Sequence, residues 1–170
     1  MPRSNRLLNR GFCALLITQF FGAINDSVLK QVIILAVASG GVWANQLGEG
    51  GQAYVALCLT IPFILFSGIA GQIADRISKN RITVLAKIAE VGIAALALGA
   101  FFAGNLWACL VVMVLLATQS AFFGPAKYGM IPELLTEKHL SKANGSINMF
   151  TNLAVIGGTL AAGTVYSHYS

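Results

Sequence analysis

Five apolar segments, each close to the length of a bilayer-spanning helix, strongly restrict how this chain can fold. They cover residues 11–37, 53–73, 82–103, 106–123 and 143–166. A helix rises about 1.5 Å per residue, so about 20 apolar residues cross the roughly 30 Å hydrocarbon core of a bilayer. Of the 170 residues, 56% are hydrophobic and only 10% are charged, whereas soluble domains are about 25% charged. The sequence therefore predicts an all-α polytopic membrane protein with about five transmembrane helices.

The distribution of Lys and Arg predicts the orientation of these helices. Apart from two lysines inside the segments, the basic residues stand before the first segment, between the second and third, and between the fourth and fifth: Arg3, Arg6, Arg10, Arg76, Lys79, Arg81, Lys127, Lys138 and Lys142. The two remaining connectors contain no basic residue. Cytoplasmic loops carry such an excess of cations, so we expect a cytoplasmic N-terminus. This asymmetry also accounts for the net charge of +5, and we expect no nucleic-acid partner.

A group of polar residues lies near the centre of the first segment. It comprises Asn25, Asp26, Lys30 and Gln31. An ionisable side chain at mid-membrane costs at least about 2.5–3.5 kcal/mol and normally faces a bundle interior or an aqueous cavity. Asp26 and Lys30 are four residues apart with the acid first, so they share a helix face. We expect a functional role for Asp26. Lys30 could simply be the internal partner of Asp26 and make no contact with a substrate.

The third segment contains a second pair of charges, Lys87 and Glu90. Their spacing of three residues places them on one face of a helix, where they can pair. Lys87 could reach the membrane interface with its long side chain, but Glu90 lies deeper and needs a partner. A structural polar clamp inside the bundle is favoured over a proton or substrate site.

No residue pattern indicates an enzyme, a metal site or a cofactor. Cys13, Cys58 and Cys109 lie inside apolar segments without a CxxC spacing, and we expect them to pack as small hydrophobic residues. His139 is followed five residues later by Asn144, not by the Asp of an acyltransferase His-x-x-x-x-Asp motif. A glycine-rich phosphate loop of the ATP-binding kind is also missing from the sequence. We expect any enzymatic partner to lie in a further C-terminal part or in another protein.

The connector between the second and third segments resembles a known signature. It reads Gly71-Gln-Ile-Ala-Asp75-Arg76-Ile-Ser-Lys79-Asn-Arg81 and is similar to the cytoplasmic signature of the major facilitator superfamily, which has a glycine, Asp-Arg and a basic pair. Ser78 replaces the second glycine of that signature and Asn80 interrupts the basic pair, so a merely basic turn is the alternative. As a gate, Asp75 would exchange cationic partners while two helix bundles rock against each other.

Three further strings resemble the bacterial lysophospholipid transporter branch of that superfamily, including members fused to a glycerophospholipid acyltransferase and an acyl-carrier-protein ligase. They lie at residues 18–26 (TQFFGAIND), 87–90 (KIAE) and 119–134 (QSAFFGPAKYGMIPEL). The resemblance extends over residues 7–166 and implies an N-terminal six-helix bundle without its sixth helix, that is, a fragment. It also implies flipping of lysophospholipid, such as lysophosphatidylethanolamine, to the inner leaflet of the bacterial cytoplasmic membrane for reacylation.

The resemblance further implies that helices one and four line the substrate path. This would place five polar residues toward the cavity: Asn25, Asp26, Lys30, Gln119 and Lys127. Asp26 would receive a headgroup ammonium or a coupling cation, and Lys127 a phosphate. Pro125 is expected to break or end the fourth helix, leaving Lys127 at the cytoplasmic rim, where a membrane anchor is the alternative role. Two other functions stay open: a facilitator or proton-coupled transporter of a soluble solute or drug, and a non-transporting anchor for an acyltransferase.

Overall fold

The protein folds into a bundle of helices. The computed structural model describes residues 7–38 and 40–169, so Arg3 and Arg6 lie outside the described residues. The described part contains six helices and no strand: α1 (Arg10–Val37), α2 (Ala44–Leu47), α3 (Gly51–Arg76), α4 (Lys79–Phe102), α5 (Leu106–Leu134) and α6 (Glu137–Tyr169). All except α2 are long and apolar enough to cross a membrane. The predicted all-α membrane fold with about five spanning helices is confirmed.

Polar side chains fix where three of the spanning helices begin. Asn9 accepts a hydrogen bond from the backbone N–H of Phe12 at 2.9 Å. Ser78 and Asn105 cap α4 and α5 in the same manner. Each cap satisfies one of the backbone donors that a helix leaves unpaired in its first turn. Asn9 also donates to the carbonyl of Leu134 at 3.1 Å, which ties the start of α1 to the end of α5.

The prediction that Pro125 breaks or ends the fourth spanning helix is wrong. Helix α5 continues through Pro125 and Pro132 and ends at Leu134. It packs between α3 and α4 and also touches α1 and α6. A proline inside a spanning helix is tolerated where neighbouring helices compensate for the lost backbone hydrogen bond. Lys127 therefore lies within α5 and not beyond its end.

Helices α1 and α6 form the other close pair of the bundle, and Gly158 makes this approach feasible. A Cβ atom at Gly158 would lie 2.8 Å from Cβ of Ser27 and 2.9 Å from the carbonyl oxygen of Ile24. The hydroxyl of Ser27 donates to the carbonyl of Val155 at 3.0 Å across the same crossing. Small residues permit such close contact in membranes, where apolar helix surfaces gain little from leaving lipid.

Candidate functional site

A cavity of about 440 Å³ lies inside the bundle and collects charged side chains from three helices. Asp26 and Lys30 come from α1, Lys87 and Glu90 from α4, and Lys127 from α5. Charges interact more strongly in such a setting than in water because the effective dielectric constant is lower. Three ammonium groups face two carboxylates, so the ionised lining carries one positive charge in excess.

The Asp26 carboxylate accepts a hydrogen bond from α5. The hydroxyl of Ser120 donates to Oδ2 of Asp26 at 3.3 Å. The other oxygen, Oδ1, is buried and accepts no hydrogen bond from the described residues. Lys30 lines the same cavity, but the predicted internal pair is not formed, since no ion pair within 4.0 Å joins it to Asp26 in the described chain. Asp26 thus lines the cavity without an ion-pair partner on its own helix.

Asn25 lies away from the cavity for which it was predicted. It borders a separate, mostly apolar pocket of about 360 Å³, together with Val28 and Val32 of α1 and Ala97 of α4. One residue turns a helix by about 100° because 3.6 residues complete a turn. Asn25 and Asp26 therefore point toward different neighbours. Asn25 is not among the residues that line the charged cavity, and its role there stays a prediction.

Lys87 and Glu90 form an ion pair on α4 with 2.5 Å between Nζ and Oε2. Glu90 is buried and also lies 3.5 Å from Nε2 of Gln119. The same Gln119 nitrogen donates to the carbonyl of Ala86 at 3.1 Å. The sequence-predicted residues of α4 and the predicted Gln119 of α5 thus belong to one hydrogen-bonded group at the cavity wall.

Two residues that complete this group could not be identified from the sequence. A Cβ atom at Gly22 would collide with Nζ of Lys87 and lie 2.9 Å from Oε1 of Glu90, so the ion pair occupies the space that a side chain at residue 22 would take. Phe123 has Nζ of Lys87 4.4 Å from its ring centroid and Nζ of Lys127 5.8 Å from it. The spacing of four residues between Gln119, Phe123 and Lys127 is the one available signal, since it places all three on one face of α5.

The residues of the connector signature lie at the end of the bundle where α3 ends and α4 begins. Lys79 forms an ion pair with Glu133 of α5 at 2.8 Å, and a Cβ atom at Gly129 would lie 2.7 Å from Cε of Lys79. Three other members of the signature are exposed and have no ion pair in the described chain: Asp75, Arg76 and Arg81. Gly71 has open space where a side chain would be. Lys79 thus forms an ion pair with Glu133 of α5, a partner that the signature did not predict.

The described residues contain no group of three or more His, Cys, Asp or Glu side chains that could hold a metal ion. Five membrane-spanning helices around a charged cavity define a polytopic membrane protein with a polar interior. A model of the major facilitator superfamily matches residues 11–170. The chain belongs to the major facilitator superfamily.

Several similar curated proteins share one name. The chain is 31% identical over 157 residues to the lysophospholipid transporter LplT of Photorhabdus laumondii, an alignment that covers 92% of this chain and 37% of that protein. It is 31% identical over 160 residues to the protein of that name from Cronobacter sakazakii, with the same coverage of 92% and 37%. The chain thus spans about 37% of the length of these relatives. No solved structure matches it.

Proposed function

We propose that this chain is the N-terminal transmembrane part of a transporter that moves lysophospholipid, such as lysophosphatidylethanolamine, across the bacterial inner membrane. The observation that carries the proposal is the cavity in which carboxylates and ammonium groups from three helices line one space. A phospholipid headgroup with an amine presents both complementary charges. The names of the relatives support this choice over other substrates.

The headgroup enters the charged cavity while its single acyl chain stays against apolar helix surfaces. Asp26 binds the ammonium through its carboxylate, which lines the cavity and accepts a hydrogen bond from Ser120 of α5. Lys127 binds the phosphate as a point charge at the other end of the headgroup. Lys30 lines the same space and adds to its positive potential. These contacts hold the polar part of the lipid in a medium that otherwise excludes it.

Transport requires a second bundle against which this one rocks, as is general for transporters with alternating access. The chain then represents a partial N-terminal domain, residues 1–170, with its N-terminus in the cytoplasm. The connector residues Gly71, Asp75, Arg76 and Arg81 act at the cytoplasmic gate, and the Lys79–Glu133 pair fixes that gate to α5. Reacylation by an acyltransferase and acyl-carrier-protein ligase, as a further domain or a separate protein, consumes the lysolipid delivered to the inner leaflet.

Uptake of radiolabelled lysophosphatidylethanolamine by spheroplasts that express the complete gene product tests the proposal. A charged hydrogen bond contributes about 1.5–3 kcal/mol, so Asp26→Asn and Lys127→Ala should each lower uptake about tenfold or more. Lys142→Ala, on the exposed surface of α6, is the matched control and should retain full uptake. Unlabelled lysolipid should compete, whereas soluble glycerophosphoethanolamine should not.

Two results would contradict this function. Undiminished uptake in both cavity variants would remove the cavity from the lipid path. Absence of lysolipid uptake at equal protein insertion would favour a facilitator for a soluble solute. A third result concerns the alternative of a membrane anchor. Full acyltransferase activity and membrane assembly in a variant that does not transport would show that anchoring is not the only role of the chain.

A further inference from the structure

Two ammonium groups from different helices approach the same aromatic ring in the cavity wall. Nζ of Lys87 lies 4.4 Å from the ring centroid of Phe123, and Nζ of Lys127 lies 5.8 Å from it. A cation is attracted to the face of an aromatic ring within about 6 Å. The ring can hold both cations in place, but it supplies no net charge, so the repulsion between them is compensated only in part.

Glu90 is the one carboxylate paired with either lysine in the described chain, and it neutralises Lys87 alone. Lys127 has a second aromatic neighbour, Tyr128 at 4.7 Å, and no carboxylate within 4.0 Å among the described residues. An anion placed between the two ammonium groups would remove this imbalance. Because lysine presents a compact ammonium with three donors, two lysines can bind different oxygens of one phosphate.

When the ammonium of Lys87 moves away from Glu90, the carboxylate still has a hydrogen-bond donor in Gln119. Nε2 of Gln119 lies 3.5 Å from Oε2 of Glu90 and is itself fixed to the carbonyl of Ala86 at 3.1 Å. Lys87 also has room to move, because its side chain borders both the charged cavity and a second cavity of about 720 Å³ among α1, α4 and α5. The Lys87–Glu90 pair can therefore open without leaving the carboxylate wholly without a hydrogen bond.

We propose that Lys87 is a phosphate ligand that exchanges Glu90 for the phosphate of the substrate and binds it together with Lys127 beside Phe123. This assignment rests on the proposed function and gives the ion pair of α4 a role beyond that of a structural clamp. Glu90 competes with the phosphate for the same ammonium. The pair thus sets the affinity for phosphate-bearing lipids and leaves the affinity for phosphate-free lipids unaffected.

Lipid binding by the purified complete gene product separates this role from a clamp. The probes are lysophosphatidylethanolamine and a monoacylglycerol with the same acyl chain, which lacks the phosphate. Lys87→Met should weaken lysolipid binding at least tenfold and leave monoacylglycerol binding unchanged. Glu90→Gln should strengthen lysolipid binding severalfold, because the competitor of the phosphate has lost its charge. The double variant should bind lysolipid as weakly as Lys87→Met.

A clamp gives the opposite pattern. Each single variant would then weaken both lipids and lower the unfolding temperature, and the neutral double variant would recover both. That result, or lysolipid binding that is unchanged in Lys87→Met, overturns the role of Lys87 while the proposed function stands. Absence of lysolipid binding by the wild-type protein overturns the proposed function itself. Where Lys87→Met does not fold, Glu90→Gln decides: tighter lysolipid binding supports the exchange, and equal or weaker binding refutes it.

Discussion

Gly158 should be the glycine of α6 that least tolerates a methyl group, because α1 crosses α6 at this point. A Cβ atom there would lie 2.8 Å from Cβ of Ser27 and 2.9 Å from the backbone oxygen of Ile24. Neither atom belongs to the free end of a flexible side chain. Relief of the contact therefore requires that the two helices move apart. Gly157, the preceding residue, has no atom within 4 Å of the same ideal position.

The expected change in the free energy of unfolding of Gly158→Ala follows from three contributions. Overpacking of a tight contact costs about 1–3 kcal/mol. Separation of the helices also weakens the hydrogen bond from Ser27 to Val155, and such bonds within membranes contribute about 0.6 kcal/mol on average. Alanine recovers about 0.5–1 kcal/mol through its better helix propensity. Gly158→Ala should therefore lower the free energy of unfolding by about 0.5–3 kcal/mol, whereas Gly157→Ala should leave it unchanged or raise it.

Unfolding of the complete gene product in mixed detergent micelles, with increasing fractions of dodecyl sulfate, measures both variants under one condition. The comparison is well controlled because the two substitutions are chemically identical and adjacent on one helix. A lower midpoint for Gly158→Ala alone is expected. Equal midpoints for the two variants would show that α1 and α6 do not cross at Gly158, and the packing argument would then fail.

Two further predictions concern the contacts of α4. Gly22→Ala should displace the ammonium of Lys87 from α1. Because the ammonium is the free end of a flexible side chain, the loss in the same titration should lie at the low end of the overpacking range, about 1 kcal/mol. Gly92→Ala, with open space around it, should cost nothing, and equal losses would contradict the contact. Lys79→Met keeps the aliphatic part of the side chain and removes its ion pair with the exposed Glu133. It should change the unfolding free energy by less than about 1 kcal/mol, and a loss above about 2 kcal/mol would disprove the view that this pair is screened by solvent.

Hydropathy was sufficient to predict the helices of this chain because each spanning segment must satisfy its own backbone hydrogen bonds in lipid. That constraint is local, and so is the spacing that brought Lys87 and Glu90 together on α4. The extent of α5 was not predictable in this way. Whether Pro125 ends a helix depends on the neighbours that surround it, and the burial of α5 between α3 and α4 is a property of the assembled bundle.

The orientation of polar residues on α1 also depended on contacts that are remote in sequence. Asn25 and Asp26 are adjacent, yet they border different spaces. Their directions are set by the packing of α1 on α6, which includes the contact of Ser27 with Val155, 128 residues away along the chain. The donor to Asp26 lies on α5 and is likewise distant. Helical spacing predicts which residues share a helix face, but it does not predict which neighbouring helix packs against that face.

The two carboxylates of the cavity, Asp26 and Glu90, are connected through consecutive residues of α5. Gln119 reaches Glu90 of α4, and Ser120 reaches Asp26 of α1. The hydroxyl of Ser120 also lies 3.3 Å from Oε1 of Gln119, and because it has a single hydrogen it can donate fully to only one of these acceptors. In the proposed exchange, a phosphate that takes Lys87 from Glu90 would make the carboxylate depend more strongly on the Gln119 amide. A change in the orientation of that amide would alter the competition for the Ser120 hydrogen, and hence the acceptor strength of Asp26 toward a headgroup ammonium. The proposed sites for the phosphate and the ammonium would thereby be coupled through a single turn of α5.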